Sequence, residues 1–418
     1  MTESPGPVAG VGVGSLARRI AAFAGLPLLS LLAPLLFLPV LARLADAESW
    51  VAIALGQSVG GFAALIGSLG YATIAPPLVA VASPAGRRRI LATSMHVRAP
   101  VWLVAATFGV VVAALIAPAG ARDEAAAMAL AMSLAALAPT WFWIGVVRVK
   151  PILWLEVVPR MAASIGAAGI LLAGGTVMWY PVLLIFAMVV APVVVTWRWV
   201  GRELFRVDRG EITEFIRRHP PGLIAETAAG VYNALAVTVV TAAAPLTQTA
   251  QYISGDKAYR IGQYAVSALG NALQGWVVQA GSEFLGRRLR VTLALHTGLG
   301  LAAMVTVGIL GPWLTEVLFG PDVSITSATA WGFGVALLGI SLGTASGRIG
   351  LISLGARKAF MYCVIVASAV GVIALWVGAA TGGASGAAWG LGLTELASGL
   401  AQAMVLASVW RRRGATLA

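Results

Sequence analysis

The amino-acid sequence predicts an all-α, polytopic membrane protein of about twelve transmembrane helices in two six-helix halves. Three observations predict it: an apolar composition, apolar segments of membrane-spanning length, and basic residues gathered in alternate loops. Hydrophobic residues make up 59% of the 418 residues and charged ones 11%, with a mean hydropathy of +0.91. Soluble domains are about half apolar and a quarter charged. The 49 glycines and 20 prolines suit helices packed in lipid, where small residues let backbones approach closely.

A helix needs about 20 apolar residues to cross a ~30 Å hydrocarbon core. Such segments run over 20–42, 50–71, 99–119, 126–147, 151–173 and 176–197, and again over 221–244, 259–281, 291–313, 324–345, 359–380 and 384–408. The first is too long for a signal-peptide core and reads as a retained helix. The longest polar connection, Arg198 to His219, separates the two sets; its apolar residues among arginines suit either an interfacial helix or an exposed linker. The expected organisation is a flexible tail over 1–17, a first bundle over 18–197, a linker over 198–220, a second bundle over 221–410 and a basic tail over 411–418.

With the N-terminus inside, most of the 28 basic residues fall on the inner side: Arg18 and Arg19, Arg87 to Arg89 and Arg98, Arg148 and Lys150, the linker arginines, Arg287, Arg288 and Arg290, Arg348, Arg357 and Lys358, and Arg411 to Arg413. Arg43, Arg122, Lys257 and Arg260 fall outside, and Arg160 lies within a span. This asymmetry puts both termini in the cytoplasm of a cell with the chain in its inner membrane. It also accounts for the net charge of +12 as membrane topology, so nucleic acid is not an expected partner.

Several chemistries lack their residues. Cys363 stands alone and the three histidines are far apart, which excludes a CxxC or HxxxH metal centre. The glycines of Gly10 to Gly14 lack the GxGxxG spacing, and there is neither a P-loop nor a catalytic triad. No catalytic residue, metal or cofactor is expected. A membrane glycan polymerase or ligase, the reading from a different class, needs a sizeable outer loop with carboxylates. The largest here, about Pro245 to Ala258, holds only Asp256.

Ionisable groups at depth are then the candidates, because a charge there costs several kcal/mol (about 2.5–3.5 for Arg on insertion scales). Arg160, nine residues beyond Pro151, reaches ~14 Å into the core. Glu156 lies one turn earlier, so the two form either a self-neutralising pair or a cation for an anionic substrate with a temporary counter-ion. Glu226 and Glu395 are carboxyls inside apolar segments that either load and release an ion or proton or bond a neighbouring helix. Tyr232, Asn233, Asn271, Gln274, Trp276 and Gln279 can bond or stack on sugars, or serve as ordinary interhelical contacts. Trp141 and Trp143 read as packing or belt residues.

The segment PTWFWIGVVRVKPILWLEVVPRMAA, Pro139 to Ala163, resembles the fourth-to-fifth helix region of Wzx-type polysaccharide translocases in the multidrug/oligosaccharidyl-lipid/polysaccharide exporter superfamily. Trp141, Trp143, Gly145, Arg148, Lys150 and Arg160 carry the likeness. GSLGYATIAPPLVA (Gly67 to Ala80), GDKAYRIGQYAV (Gly255 to Val266) and VLFGPD (Val317 to Asp322) are similar to the family's second-helix ending, eighth-helix start and the loop before its tenth helix. The family's acidic residue after the fourth-helix glycine is absent, with Val146 and Val147 there.

The resemblance implies two six-helix bundles around a cationic central cavity, in a flippase that carries a polyprenyl-pyrophosphate-linked oligosaccharide to the outer leaflet by alternating access. Its partners are that glycan, membrane lipids and other polysaccharide-assembly membrane proteins. Arg160 is the main expected substrate contact, with Arg43, Arg148 and Arg348 on the same path. Asn233, Asn271, Gln274 and Trp276 are expected on the glycan, and Glu226, Glu395 and Glu156 in ion coupling. A cation or drug antiporter of the same superfamily would prefer an acidic or apolar cavity. A flippase for lipid-linked peptidoglycan precursors shares the expected chemistry.

Overall fold

The computed structural model describes residues 37–206, 210, 234–278 and 282–416. They form an almost wholly helical chain. A helical stretch over 37–44 leads into α1, Ala47–Ser68, which starts at Asp46, whose carboxylate accepts from the Ser49 amide at 2.7 Å, satisfying one of the free N–H groups of the first turn. Leu69 and Gly70, both at positive φ, break it from α2, Tyr71–Val81. Ser83 caps α3, Pro84–Ile116.

Next come α4, Ala119–Gly145, α5, Val149–Leu172, and α6, Trp179–Val200. In the second half follow α7, Ala234–Ala243, α8, Leu246–Val278, α9, Ser282–Phe319, and α10, Ser327–Leu351. The last element, α11, Arg357–Thr416, is two arms joined at Gly383, whose φ is 56°. Among the described residues eight helices are long and apolar enough to cross a membrane; α8 carries charges, α7 is shorter, and α11 crosses as two arms.

Helix boundaries correct two of the expectations. The segment expected over 259–281 begins at Leu246, so the expected outer loop of Pro245 to Ala258 is helix, and Lys257 and Arg260 are not loop residues. Arg98, expected in an inner loop, sits inside α3 and is 1% exposed. Charges inside these helices lower the local hydropathy and make their ends read as loops.

Small residues set the packing. A Cβ on Gly339 of α10 would overlap the Glu395 backbone of α11, and one on Gly399 would lie 2.5 Å from the Gly339 carbonyl. These glycines let two backbones touch, the arrangement expected for helices that associate in lipid.

The halves share one core. The largest apolar cluster mixes Phe37, Trp50 and Tyr180 of the first half with Val237, Ala250, Phe319 and Phe333 of the second. Toward the end carrying Arg87 to Arg89, Arg148 and Arg287, the clusters belong to one half each, around Trp141 and Trp143 in the first and around Val277, Ile349 and Leu354 in the second. Among the described residues, the apolar core shared by the halves lies toward the end opposite the basic loops.

Candidate functional site

Arg160 lies in α5, just after a π-helical turn, Leu153–Val157, that contains Glu156. Wide turns of this kind often mark functional positions because they leave backbone and side chains off the regular ladder. Glu156 is buried, and its Oε2 accepts from the Thr140 hydroxyl of α4 at 2.5 Å. No ion pair joins it to Arg160, and Arg160 Nε is buried without a hydrogen-bond partner. Glu156 Oε1 is likewise buried without a hydrogen-bond partner, and the two residues interact electrostatically, so both sequence readings stand. Arg160 also neighbours Tyr180, whose ring stacks on Phe37 at 3.9 Å between centroids. The Tyr180 hydroxyl lies beside Ser164 and Gln57.

Gln57 joins this group to the second half. Its Oε1 accepts from Lys257 Nζ at 2.7 Å. Lys257 is eleven residues into α8, ~16 Å along the helix, and so sits at membrane depth. Its neighbour Asp256 is spent on Arg260, one turn on, at 2.7 Å, which leaves Lys257 with an amide and no carboxylate. Two cations from opposite halves, Arg160 and Lys257, thus approach one Gln57–Tyr180 bridge. Sequence reasoning found the first and missed the second; the signal was the spacing in GDKAYR, where Asp256 and Arg260 cancel each other and Lys257 is left over.

A second group gathers three expected residues. The Arg348 guanidinium, on the π-helical stretch Thr344–Leu351, donates to Asn271 Oδ1 at 2.6 Å and Gln274 Oε1 at 3.4 Å. Asn271 and Gln274 are three residues apart and share a face of α8. Trp276 is on another face, under the Arg288 guanidinium at 5.0 Å, and does not join them.

The remaining candidates disperse. Arg148 is exposed and lies over Trp199 at 5.8 Å, away from Arg160. Arg43 is exposed at the opposite end and donates to the Val317 carbonyl, capping the end of α9. It lines a cleft of about 390 Å³ with Trp313, Glu316, Val317, Gly320 and Pro321, so the two arginines do not line one path with Arg160. Glu395 packs its backbone on Gly339 in the α10–α11 seam. Glu226 and Asn233 lie outside the described residues, as do Tyr232 and Gln279. Trp141 and Trp143 are buried, 3% and 1% exposed.

Arg98 has a different task. Its Nη1 donates to the Ala136 carbonyl at 2.7 Å and the Ala138 carbonyl at 3.4 Å, closing the frayed centre of α4. Tyr71 and Trp141 rings face its Cζ at 5.2 and 5.4 Å. A cation is kept in the core by carbonyls and ring faces instead of by a carboxylate.

No protein-family model and no curated protein sequence matches the chain. Solved structures do. The lipid II flippase MurJ in an inward closed conformation aligns with a TM-score of 0.72 at 10% identity, over 93% of this chain and 87% of that one. A point mutant of a MATE protein aligns at 0.57 and 15% identity, over 94% and 95%. A MOP superfamily transporter from Pyrococcus furiosus Vc1, described by the reverse polarity of its binding pocket, aligns at 0.57 and 14%, over 94% and 95%. At these identities the likeness is one of fold: the chain is a multi-pass helical membrane protein with the fold of the MATE and MurJ transporters.

Proposed function

We propose that the chain is a flippase that moves a polyprenyl-pyrophosphate-linked oligosaccharide across the inner membrane by alternating access, without catalysis, with both termini in the cytoplasm. The observation that carries this reading is Arg160, a guanidinium at depth whose Nε has no hydrogen-bond partner and whose neighbour Glu156 gives one oxygen to Thr140. A buried charged donor left open is costly, and an anionic substrate supplies the acceptor. Lys257 from the other half adds a second positive group at the same seam. The fit to the MurJ fold, and the description of that protein as a lipid II flippase, support a lipid-linked substrate.

In this reading the pyrophosphate is held by Arg160, whose fork suits paired phosphate oxygens. The Arg348–Asn271–Gln274 group supplies donors and acceptors for sugar hydroxyls nearer the basic end. The polyprenyl tail stays in lipid. With the basic loops inside, the end opposite the shared core faces the cytoplasm, where such precursors are built. Glu395 is the ion-coupling carboxyl of this proposal. An exporter of cationic drugs is disfavoured by the two cations at the seam.

Translocation of a lipid-linked oligosaccharide in vesicles tests the proposal. Arg160→Lys should retain partial activity, since charge survives while the bidentate fork is lost, and Arg160→Glu should abolish it at equal expression. Transport of a cationic dye coupled to inward protons, with no response to Arg160→Glu, would contradict the proposal.

A further inference from the structure

We infer that the Lys257–Gln57 hydrogen bond is a latch holding the outer side shut, and that a pyrophosphate-type anion entering the site opens it by taking Lys257 from Gln57. The trigger rests on the anionic-substrate reading above; the latch itself rests on the seam geometry.

Among the described residues, hydrogen bonds between the halves start from four first-half positions. Arg43 donates to the Val317 carbonyl, Trp50 Nε1 to the Ala250 carbonyl at 3.1 Å, and Ser58 Oγ to the Ala234 carbonyl at 2.5 Å, with Thr238 Oγ1 at 2.8 Å. Gln57 accepts from Lys257. Trp50 also packs on Phe319, 5.5 Å between centroids. Trp50 and Gln57 are seven residues apart, so α1 presents them on one face two turns apart.

Gln57 also meets the Tyr180 hydroxyl, and Arg160 neighbours Tyr180, so an anion held by Arg160 comes close to the Lys257 ammonium on Gln57. Of the ties, Lys257–Gln57 alone joins a charged donor to a neutral side-chain acceptor at depth. A phosphate oxygen competes well for that ammonium, because it adds the attraction of opposite charges that the neutral amide of Gln57 does not offer. The Trp50 and Ser58 ties have neutral donors, and the Arg43 tie lies exposed at the far end, beside Val317. Site occupancy and release of the seam are thus linked through one side chain.

The test uses the full chain in lipid nanodiscs, with Cys363 replaced by Ser and spin labels on Leu44→Cys and Asp322→Cys. Both positions are exposed at the end opposite the basic loops, Leu44 being 52% exposed and Asp322 following Pro321 beside the Arg43 cleft. Farnesyl pyrophosphate is the probe. In the parent, the probe should shift the label distances to longer values. Gln57→Leu should give the longer distances without probe. Gln57→Glu, which offers Lys257 a carboxylate, should keep the short distances and raise the probe concentration needed for opening at least tenfold. Ser58→Ala serves as a control for general weakening of the seam and should move the distances much less than Gln57→Leu.

Shifts in the same direction for Gln57→Leu and Gln57→Glu, or a Ser58→Ala shift as large as that of Gln57→Leu, would overturn the latch. If the parent fails to bind farnesyl pyrophosphate at all, the trigger and the anionic-substrate reading fall together. The probe-free order of the variants would then still judge the latch alone.

Discussion

Glu156 stands one helical turn before Arg160, with its Oε2 on the Thr140 hydroxyl at 2.5 Å, while its Oε1 and Arg160 Nε are both left bare. Thr140→Val should therefore destabilise the fold by about 1–3 kcal/mol, the cost of leaving a buried polar group unsatisfied. Glu156→Gln keeps an acceptor for Thr140 and should leave thermal unfolding and translocation close to the parent. A closed Glu156–Arg160 pair would instead lose about 3–5 kcal/mol on that change. Unfolding midpoints in detergent distinguish the two.

Arg98 is predicted to matter for folding and not for transport. Arg98→Met strips the Ala136 and Ala138 carbonyls of their donor at the centre of α4, and each bare buried acceptor costs about 1–3 kcal/mol. The variant should express poorly or unfold at markedly lower temperature, while transport per folded molecule stays within about twofold. Normal stability with lost transport would make Arg98 a substrate contact.

The orientation is tested by accessibility. Reporters after Arg218 and after Arg413 should behave as cytoplasmic, and a tag at Gly174, in the open turn after α5 with φ of 84°, as external. If Gly174 and Arg413 report the same side, the orientation drawn from the basic loops is wrong.

Glu395 is expected to couple transport to protons or sodium. Glu395→Gln should remove the pH or sodium dependence of translocation and leave substrate binding intact. Unchanged ion dependence would reduce Glu395 to a packing residue of the α10–α11 seam.

The sequence made the helical class legible because apolar length and the placement of arginines are local properties. Arg160 was visible for the same reason, a charge nine residues into an apolar run. Arg348, Asn271 and Gln274 were named without their mutual contact, which depends on how α8 and α10 cross. Lys257 and Arg98 were read as loop residues because a hydropathy window cannot distinguish a charge beyond a helix end from one held inside by a partner. The direction in which Glu156 turns depends on Thr140, sixteen residues earlier on another helix, and no spacing rule carries that. Arg43 and Arg148 were placed with Arg160 by nearness to helix ends, yet their ends lie at opposite faces of the molecule.

The central claim is that Arg160 meets the substrate, and the double exchange Glu156→Arg with Arg160→Glu tests it most directly. The exchange keeps both charges on the same helix face, so folding should recover relative to Arg160→Glu. It moves the cation by one turn, ~5.4 Å, and so away from the Tyr180–Gln57 bridge. Translocation of lipid-linked oligosaccharide in vesicles, normalised to expression, should stay near the level of Arg160→Glu. Full transport by the double variant would contradict the claim and return Glu156 and Arg160 to a closed structural pair.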